Sequence, residues 1–387
     1  MSLFGSSKKE NTLLIDIGST SIACALTHNE KGESPIMDFS LRLPFSKHIP
    51  GEEQSIEKQM LFTLKEILAL TFQNGLKELS QKSRSKDINT VLIGLSSLWY
   101  TSKLETKTIE DKKGIKLTEG KLKDLIEEEK KGFMTDLKDI YKDAGEIFEA
   151  DILGVSANGY RIDNWMGKEA NSFELTYLLS AAPQNTIRKI EDQIIGTFGT
   201  KRGISINSIN SLLSKLIFHN FKNIHSALLV DLSGDTSNLL FIHDGIAEKN
   251  KHLSFGISSL VQNIADNLLI PIPIAESYLS LYAKEVLNQE SVEELDKVFS
   301  ESEDEWSLHK ALVADDGSFT SPQKIFLVSD TPYAVIGRTI LKDLFPDKEI
   351  IILDCQNGFL KECIKSESGS SADGHLAVLG TYSQFLY

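Results

Sequence analysis

The chain has 387 residues, 41% hydrophobic and 25% charged, a balance that fits a folded globular protein and excludes a disordered one. At that length one core is usually exceeded, so two domains or one duplicated architecture are expected. Lysine plus arginine total 41 against 55 acidic residues, and the resulting charge of -14 excludes the basic footprint of a general nucleic-acid binder.

Residues 1 to 10 carry Lys8 and Lys9 but no apolar run, which predicts a polar tail rather than a signal peptide. Leu13 to Leu26 then reads LLIDIGSTSIACAL: an apolar β-rich run ending at Asp16, a turn of small hydroxylated residues, and a second apolar run. This is the pattern of two strands joined by a tight turn. Gln54 to Leu79 places Met60, Leu61, Leu64, Ile67, Leu68 and Phe72 at helical spacing, and Thr90 to Leu95 is a buried strand. An α/β domain thus begins the chain.

From Ser96 to about Asp151 the sequence becomes rich in lysine and glutamate, with Thr118 placed to cap a helix through Leu122, Leu125 and Ile126. The segment EADILGVSANGYRIDNW contains an Asn158-Gly159 turn, FELTYLLSAAP is a strand, and a helix follows from Asn185 to about Phe198. Ile204 to Phe218 reads as one apolar helix.

Leu228 to Ile242, LLVDLSGDTSNLLFI, repeats the first hairpin, with Asp231 in the place of Asp16; Asp244-Gly245 marks a further turn. Helices are predicted for Gly256 to Leu269 and Ala275 to Leu287, an acidic loop for Asn288 to Gln323, and strands for Lys324 to Val328 and Ile350 to Asp354. The acidic stretch Glu301 to Asp316 and the lysine/glutamate segment are expected to be solvated faces, with partner contact as the alternative. Lys365 to Gly374 is a serine-rich loop before the final AVLGTYSQFLY. Cys24, Cys355 and Cys363 form no CxxC pair and the eight histidines no HxH or HxxxH spacing, so neither a disulfide framework nor a zinc site is expected.

A turn of glycine and hydroxylated residues exposes backbone N–H groups and can form an anion-binding concavity. Gly18 permits close approach, and Ser19, Thr20 and Ser21 can donate to phosphate oxygens; Ser233, Gly234 and Thr236 are their counterparts in the second copy. Asp16 and Asp231 are placed to hold a hydrated magnesium ion rather than phosphate itself. Asp235 is out of character, because a carboxylate repels phosphate. No histidine or glutamate stands at a spacing that marks a water-activating base.

The repeated hairpins, their separation and the later strand resemble the actin-like ATPase superfamily, in the branch of the cell-division protein FtsA and the pilus-assembly protein PilM. The resemblance covers about Leu13 to Gly380. The inserted segment is similar to the FtsA-like subdomain through Tyr160, Asp163, Gly167, Glu174 and Leu175, and Ala275-Glu276 matches a family pair. The chain departs from the family pattern in three places: Ser233, Gly234 and Asp235 replace a glycine run, Ser329-Asp330 replaces a glycine pair, and the lysine after the first hydroxyl run is missing.

The resemblance implies an α/β fold of duplicated ribonuclease-H-like domains with an inserted strand-helix-strand-strand subdomain. Its boundaries are 11-95 and 185-224 for the first domain, 96-184 for the insertion, and 225-387 for the second, with 277-323 variable. It implies ATP and Mg2+ in the cleft, with Ser329 joining the two turns as a nucleotide contact, binding weak or degenerate, and at most weak hydrolysis. It also implies a cytoplasmic scaffold of cell division that recruits division-ring or pilus-assembly proteins, grips a peptide of a membrane protein, and self-associates. A PilM-like role in type IV pilus or secretion assembly and a small-molecule kinase are the alternatives.

Overall fold

The computed structural model describes residues 10–29, 33–46, 55–83, 85–141, 144–199, 203–221, 224–301, 321–330, 332–356, 359–366 and 373–386. The N-terminal tail and the acidic stretch after Glu301 lie outside these. Strands β1 (Glu10–Ile17) and β2 (Ser21–Asn29) form the first hairpin, with Asp16 opposite Ala23, and β3 (Ile36–Pro44) continues it. Helix α1 (Ile56–Leu70) is capped by the Ser55 hydroxyl, which accepts from the Lys58 N–H, and buries Met60, Leu64, Ile67 and Leu68 on one stripe. It runs through a π-helical turn (Thr71–Gly75) into α2 (Leu76–Ser83). Strand β4 (Thr90–Leu95) then pairs in parallel with β1.

The insertion comprises β5 (Thr101–Lys116), α3 (Glu119–Ile140), β6 (Gly145–Ala157), β7 (Tyr160–Arg161) and β8 (Glu169–Pro183), in a sheet of order β5-β8-β6-β7. Thr118 caps α3, and Asn158 and Gly159 both take positive φ at their turn. Helix α4 (Gln184–Phe198) leads back to β9 (Ile204–Ser208) and α5 (Ile209–Asn220). The single helix expected from Ile204 is therefore a strand for its first five residues. Ile204 and Ile206 alternate along an edge strand beside β4, and the Ser208 hydroxyl starts the helix by accepting from the Ser211 N–H.

The second hairpin is β10 (Ser226–Leu232) with β11 (Ser237–His243), extended by β12 (Ile246–Leu253). Helices α6 (Ile257–Leu268), α7 (Ile272–Ala283) and α8 (Gln289–Glu301) follow, then β13 (Lys324–Ser329), α9 (Ala334–Leu344) and β14 (Glu349–Ile352). Helix α8 corrects the loop expected from Asn288: its acidic face is exposed, while Leu295 and Val298 pack into the core beneath α6 and α7. The chain ends with α10 (Leu360–Cys363), β15 (Lys365–Ser366) and α11 (Gly374–Ser383).

The repeat in the sequence is a repeat in topology. One sheet runs β3-β2-β1-β4-β9 and the other β12-β11-β10-β13-β14, each with its hairpin antiparallel and the next two strands parallel; β15 adds to the β3 edge of the first. Asp16 and Asp231 end equivalent central strands. Helices α5 and α11 lie between the sheets, and α11 is buried at every residue but Tyr382. Their side chains join Leu14 and Leu92 of one sheet to Leu229, Leu240 and Val328 of the other in a single core. That core sets the two hairpin turns face to face.

Candidate functional site

The two turns touch. In the first, the Gly18 N–H donates to the Ser21 carbonyl at 2.9 Å, and the Trp99 indole N–H fixes the Gly18 carbonyl at 2.7 Å. In the second, the Ser233 N–H donates to the Thr236 carbonyl at 3.0 Å, and the Ser233 hydroxyl donates to Asp231 Oδ1 at 3.0 Å. Across the cleft the Asp235 N–H donates to Ser19 Oγ at 2.8 Å, and the Ser97 and Thr236 hydroxyls are 3.2 Å apart. Gly234 lies so close to Thr20 that a Cβ there would overlap the Thr20 hydroxyl.

The first N–H groups of α6 are also committed, because Ile257 and Ser258 donate to the carbonyls of Ser233 and Gly234 at 3.1 and 2.8 Å. A helix N-terminus that elsewhere could receive an anion is here turned onto its own loop. Ser329, expected among the nucleotide contacts, gives its hydroxyl to the Leu232 carbonyl at 2.8 Å, which braces the end of β13 against β10.

Beneath the turns lies a buried cluster of four carboxylates and two cations. Arg42, projecting from β3, donates from Nη2 to Asp16 at 2.7 Å and from Nε to Asp373 at 2.6 Å, and its Nη1 is 3.1 Å from Asp330 and 2.7 Å from Ser21 Oγ. Ser21 in turn donates to Asp330 at 3.2 Å. His375, in the first turn of α11, places Nε2 2.8 Å from Asp231 and Nδ1 3.0 Å from Asp330. The Nδ1 contact is one of charge rather than an aligned hydrogen bond, since that atom has no partner of good geometry. Asp373 caps α11 by accepting from the Leu376 N–H at 3.0 Å.

The electrostatics follow from burial opposed by pairing. Burial raises the Asp16 carboxyl to about 6, with His375 and Arg42 pulling the other way. Burial works against charge on Asp330 too, but Arg42 and His375 outweigh it and hold that carboxyl below the usual range. His375 is pushed well above the ordinary histidine value: burial opposes its charge, and Asp16 and Asp231 overcome it. The imidazole and guanidinium are thus both cations inside the cleft.

The sequence-predicted residues Asp16, Gly18, Ser19, Thr20, Ser21, Asp231, Ser233, Gly234 and Thr236 converge here, with Ser329 bracing the same end of the second sheet. Arg42, Asp373 and His375 carry no local motif and were missed. Their one sequence signal is the Asp373-Gly-His375 start of an otherwise apolar helix, where charge must find a partner. Asp16, Asp373 and His375 each offer a ligand atom within 4.8 Å of the others, a donor set that suits a cation, but Arg42 already sits on both carboxylates. The arrangement does not fit a nucleotide triphosphate. The two turns contact each other directly, the donors named above are paired internally, and four buried carboxylates lie beneath them.

No protein-family model matches the chain, and no curated protein matches it in sequence. Its structure is similar to that of the PilM-PilN type IV pilus biogenesis complex, with a TM-score of 0.61 and 12% identity over 96% of this chain and 98% of that one. It is also similar to the ethanolamine utilization protein EutJ from Carboxydothermus hydrogenoformans, with a TM-score of 0.46 and 10% identity over 97% and 89% of the two chains. A Bacteroides thetaiotaomicron protein with an actin-like ATPase fold gives a TM-score of 0.42 and 10% identity over 91% and 94%. With its two sheets of like order, the hairpins that face each other between them and the subdomain set into the first half, the chain has the actin-like ATPase fold.

Proposed function

We propose that the chain is an actin-like scaffold of the PilM kind, which docks a peptide of a membrane-associated assembly protein beside its inserted subdomain. The observation that carries this reading is a groove of about 550 Å3 between the insertion and the β11-β12 hairpin of the second sheet. Two of its lining residues are packed closely on glycines, Ile246 on Gly154 of β6 and Arg161 on Gly245. Its walls carry Glu174, Asp244 and Glu248 alongside Arg161, His225 and His243, and Tyr160, a residue 78% exposed.

Three carboxylates against one arginine, with an exposed aromatic residue, suit a basic, extended peptide whose stems pack on Tyr160. Its cations face Glu174 and Glu248, the acids that have no histidine beside them among the described residues. The similar structure is itself a complex, the PilM-PilN type IV pilus biogenesis complex, and the similarity covers 96% of this chain. Among the described residues no helix is long and apolar enough to cross a membrane. A role in division and a kinase activity are the competing outcomes.

The test is binding of the chain to synthetic cytoplasmic peptides of pilus-assembly membrane proteins, followed by anisotropy. Glu174→Lys with Glu248→Lys is expected to weaken the complex by about tenfold or more, roughly 1.4 kcal/mol, and to reduce its salt dependence. Peptides bound equally well by the double variant would sink the groove assignment. Localisation to the division ring, or phosphoryl transfer to a hydroxyl substrate panel, would replace the pilus reading.

A further inference from the structure

The fold offers a cleft for a nucleotide, and the side chains that line this one are matched to each other instead. We infer that Arg42 and His375 stand in for the cleft's ligand and hold the two halves of the molecule closed without nucleotide. This goes beyond the peptide-docking reading and stands or falls separately from it.

The geometry has two layers. In the upper layer the turns are latched directly, by the Asp235 N–H on Ser19 Oγ, by the paired Ser97 and Thr236 hydroxyls, and by Thr20 against Gly234. In the lower layer one guanidinium joins carboxylates from both halves. Arg42 and Asp16 belong to the first sheet, whereas Asp330 follows β13 of the second and Asp373 opens the helix between the sheets. The fork of Nε, Nη1 and Nη2 serves a separate carboxylate with each nitrogen, which an ammonium cannot do with the same fixed geometry.

His375 completes the set by contacting Asp231 and Asp330, so both strand-end aspartates have a protein cation beside them. In a nucleotide-binding cleft such aspartates would hold a hydrated magnesium ion as the counter-charge to phosphate. Here the cations are covalently part of the chain, and the added acids Asp330 and Asp373 balance them. A triphosphate would have to separate the latched turns, displace Arg42 and enter beside four carboxylates. Such buried pairs add little net stability, but removing one partner strands the rest, so the closed arrangement resists piecemeal change.

Hydrogen exchange of the full chain tests this directly. In the wild type, amides of residues 16–21 and 231–238 are expected to exchange slowly without nucleotide, and neither that rate nor the melting temperature is expected to change in millimolar magnesium-ATP. Arg42→Ala is expected to speed exchange of both turns by about tenfold or more while α3 in the insertion keeps its rate. Ser19→Ala, which deletes only the acceptor across the cleft, is expected to speed exchange at Asp235. Should Arg42→Ala not fold, Arg42→Lys, which keeps the charge and loses the fork, carries the comparison and is expected to lie above wild type. Protection of the wild-type turns by magnesium-ATP, or turns in the arginine variant as slow as in wild type, would overturn the inference.

Discussion

At the scale of single residues, the glycines separate positions that hold the site from positions that merely tolerate it. Gly256 ends its loop with its Cα against the backbone carbonyls of Ser233 and Gly234, so an added methyl meets main chain that cannot turn away. Gly256→Ala is therefore expected to cost about 2 kcal/mol or more in urea unfolding, through overpacking and displacement of the second turn. Gly132, inside α3, has open space where a Cβ would stand; Gly132→Ala is expected to stabilise the protein by about 0.5 to 1 kcal/mol through backbone entropy and helix propensity. A neutral Gly256→Ala would mean that the second turn is not packed as described. The residues of the turns were legible in the sequence because Asp, Gly, Ser and Thr announce a turn locally. Arg42 was not, because nothing near it in the chain distinguishes it from a solvent-exposed arginine. Its acids Asp330 and Asp373 are 288 and 331 residues away in sequence.

At the scale of elements, sequence patterns identified the hairpins, α1, β4, α3 and α4, whose apolar spacing and caps are self-contained. They failed at Ile204–Ser208, where a short edge strand runs without a turn signal into an apolar helix, and at Gln289–Glu301, where acidic composition hid the buried positions Leu295 and Val298. The junction at Ser208 also carries a titration. Glu149 of β6 accepts from the Ser208 N–H at 3.1 Å, the Ser208 hydroxyl at 2.5 Å and the Ser180 hydroxyl at 2.8 Å, which pins the insertion to the start of α5. Burial, then Asp151, raises its carboxyl to about 7 against an ordinary 4.5, although the serine hydrogen bonds and Lys215 oppose the shift. A carboxyl raised in the folded state contributes stability that is complete below about 4.5 and is lost as pH climbs through about 7. Glu149→Gln keeps a neutral acceptor and is expected to match wild type near pH 5 and to exceed it above pH 8 by an amount on the order of a few kcal/mol. Thermal unfolding of both proteins at the two pH values measures the difference. A constant offset would show that Glu149 is not the titrating group.

At the scale of the whole molecule, the sequence made the duplication plain but gave the last segment to the second half alone. The chain instead returns: β15 pairs with β3, and α11 packs between the sheets. No local pattern records this, because a helix apolar on every side declares that it is buried without saying between what. The consequence is a shared core. Leu379 of α11 is fully buried in the core that the two sheets share, whereas Leu175 is buried in a separate core that belongs to the insertion. Leu379→Ala is expected to lower the stability of the chain by about 2 to 5 kcal/mol, through lost burial and the cavity left behind. Because the core it belongs to spans both sheets, the loss should raise hydrogen exchange in β1, β4, β10 and β13 together. Leu175→Ala removes the same atoms from the insertion's own core and should raise exchange in β5, β6 and β8 first, with the paired sheets following only at global unfolding. If Leu379→Ala loosened one sheet and left the other at wild-type rates, α11 would not couple the halves, and the facing of the two turns would need some other cause.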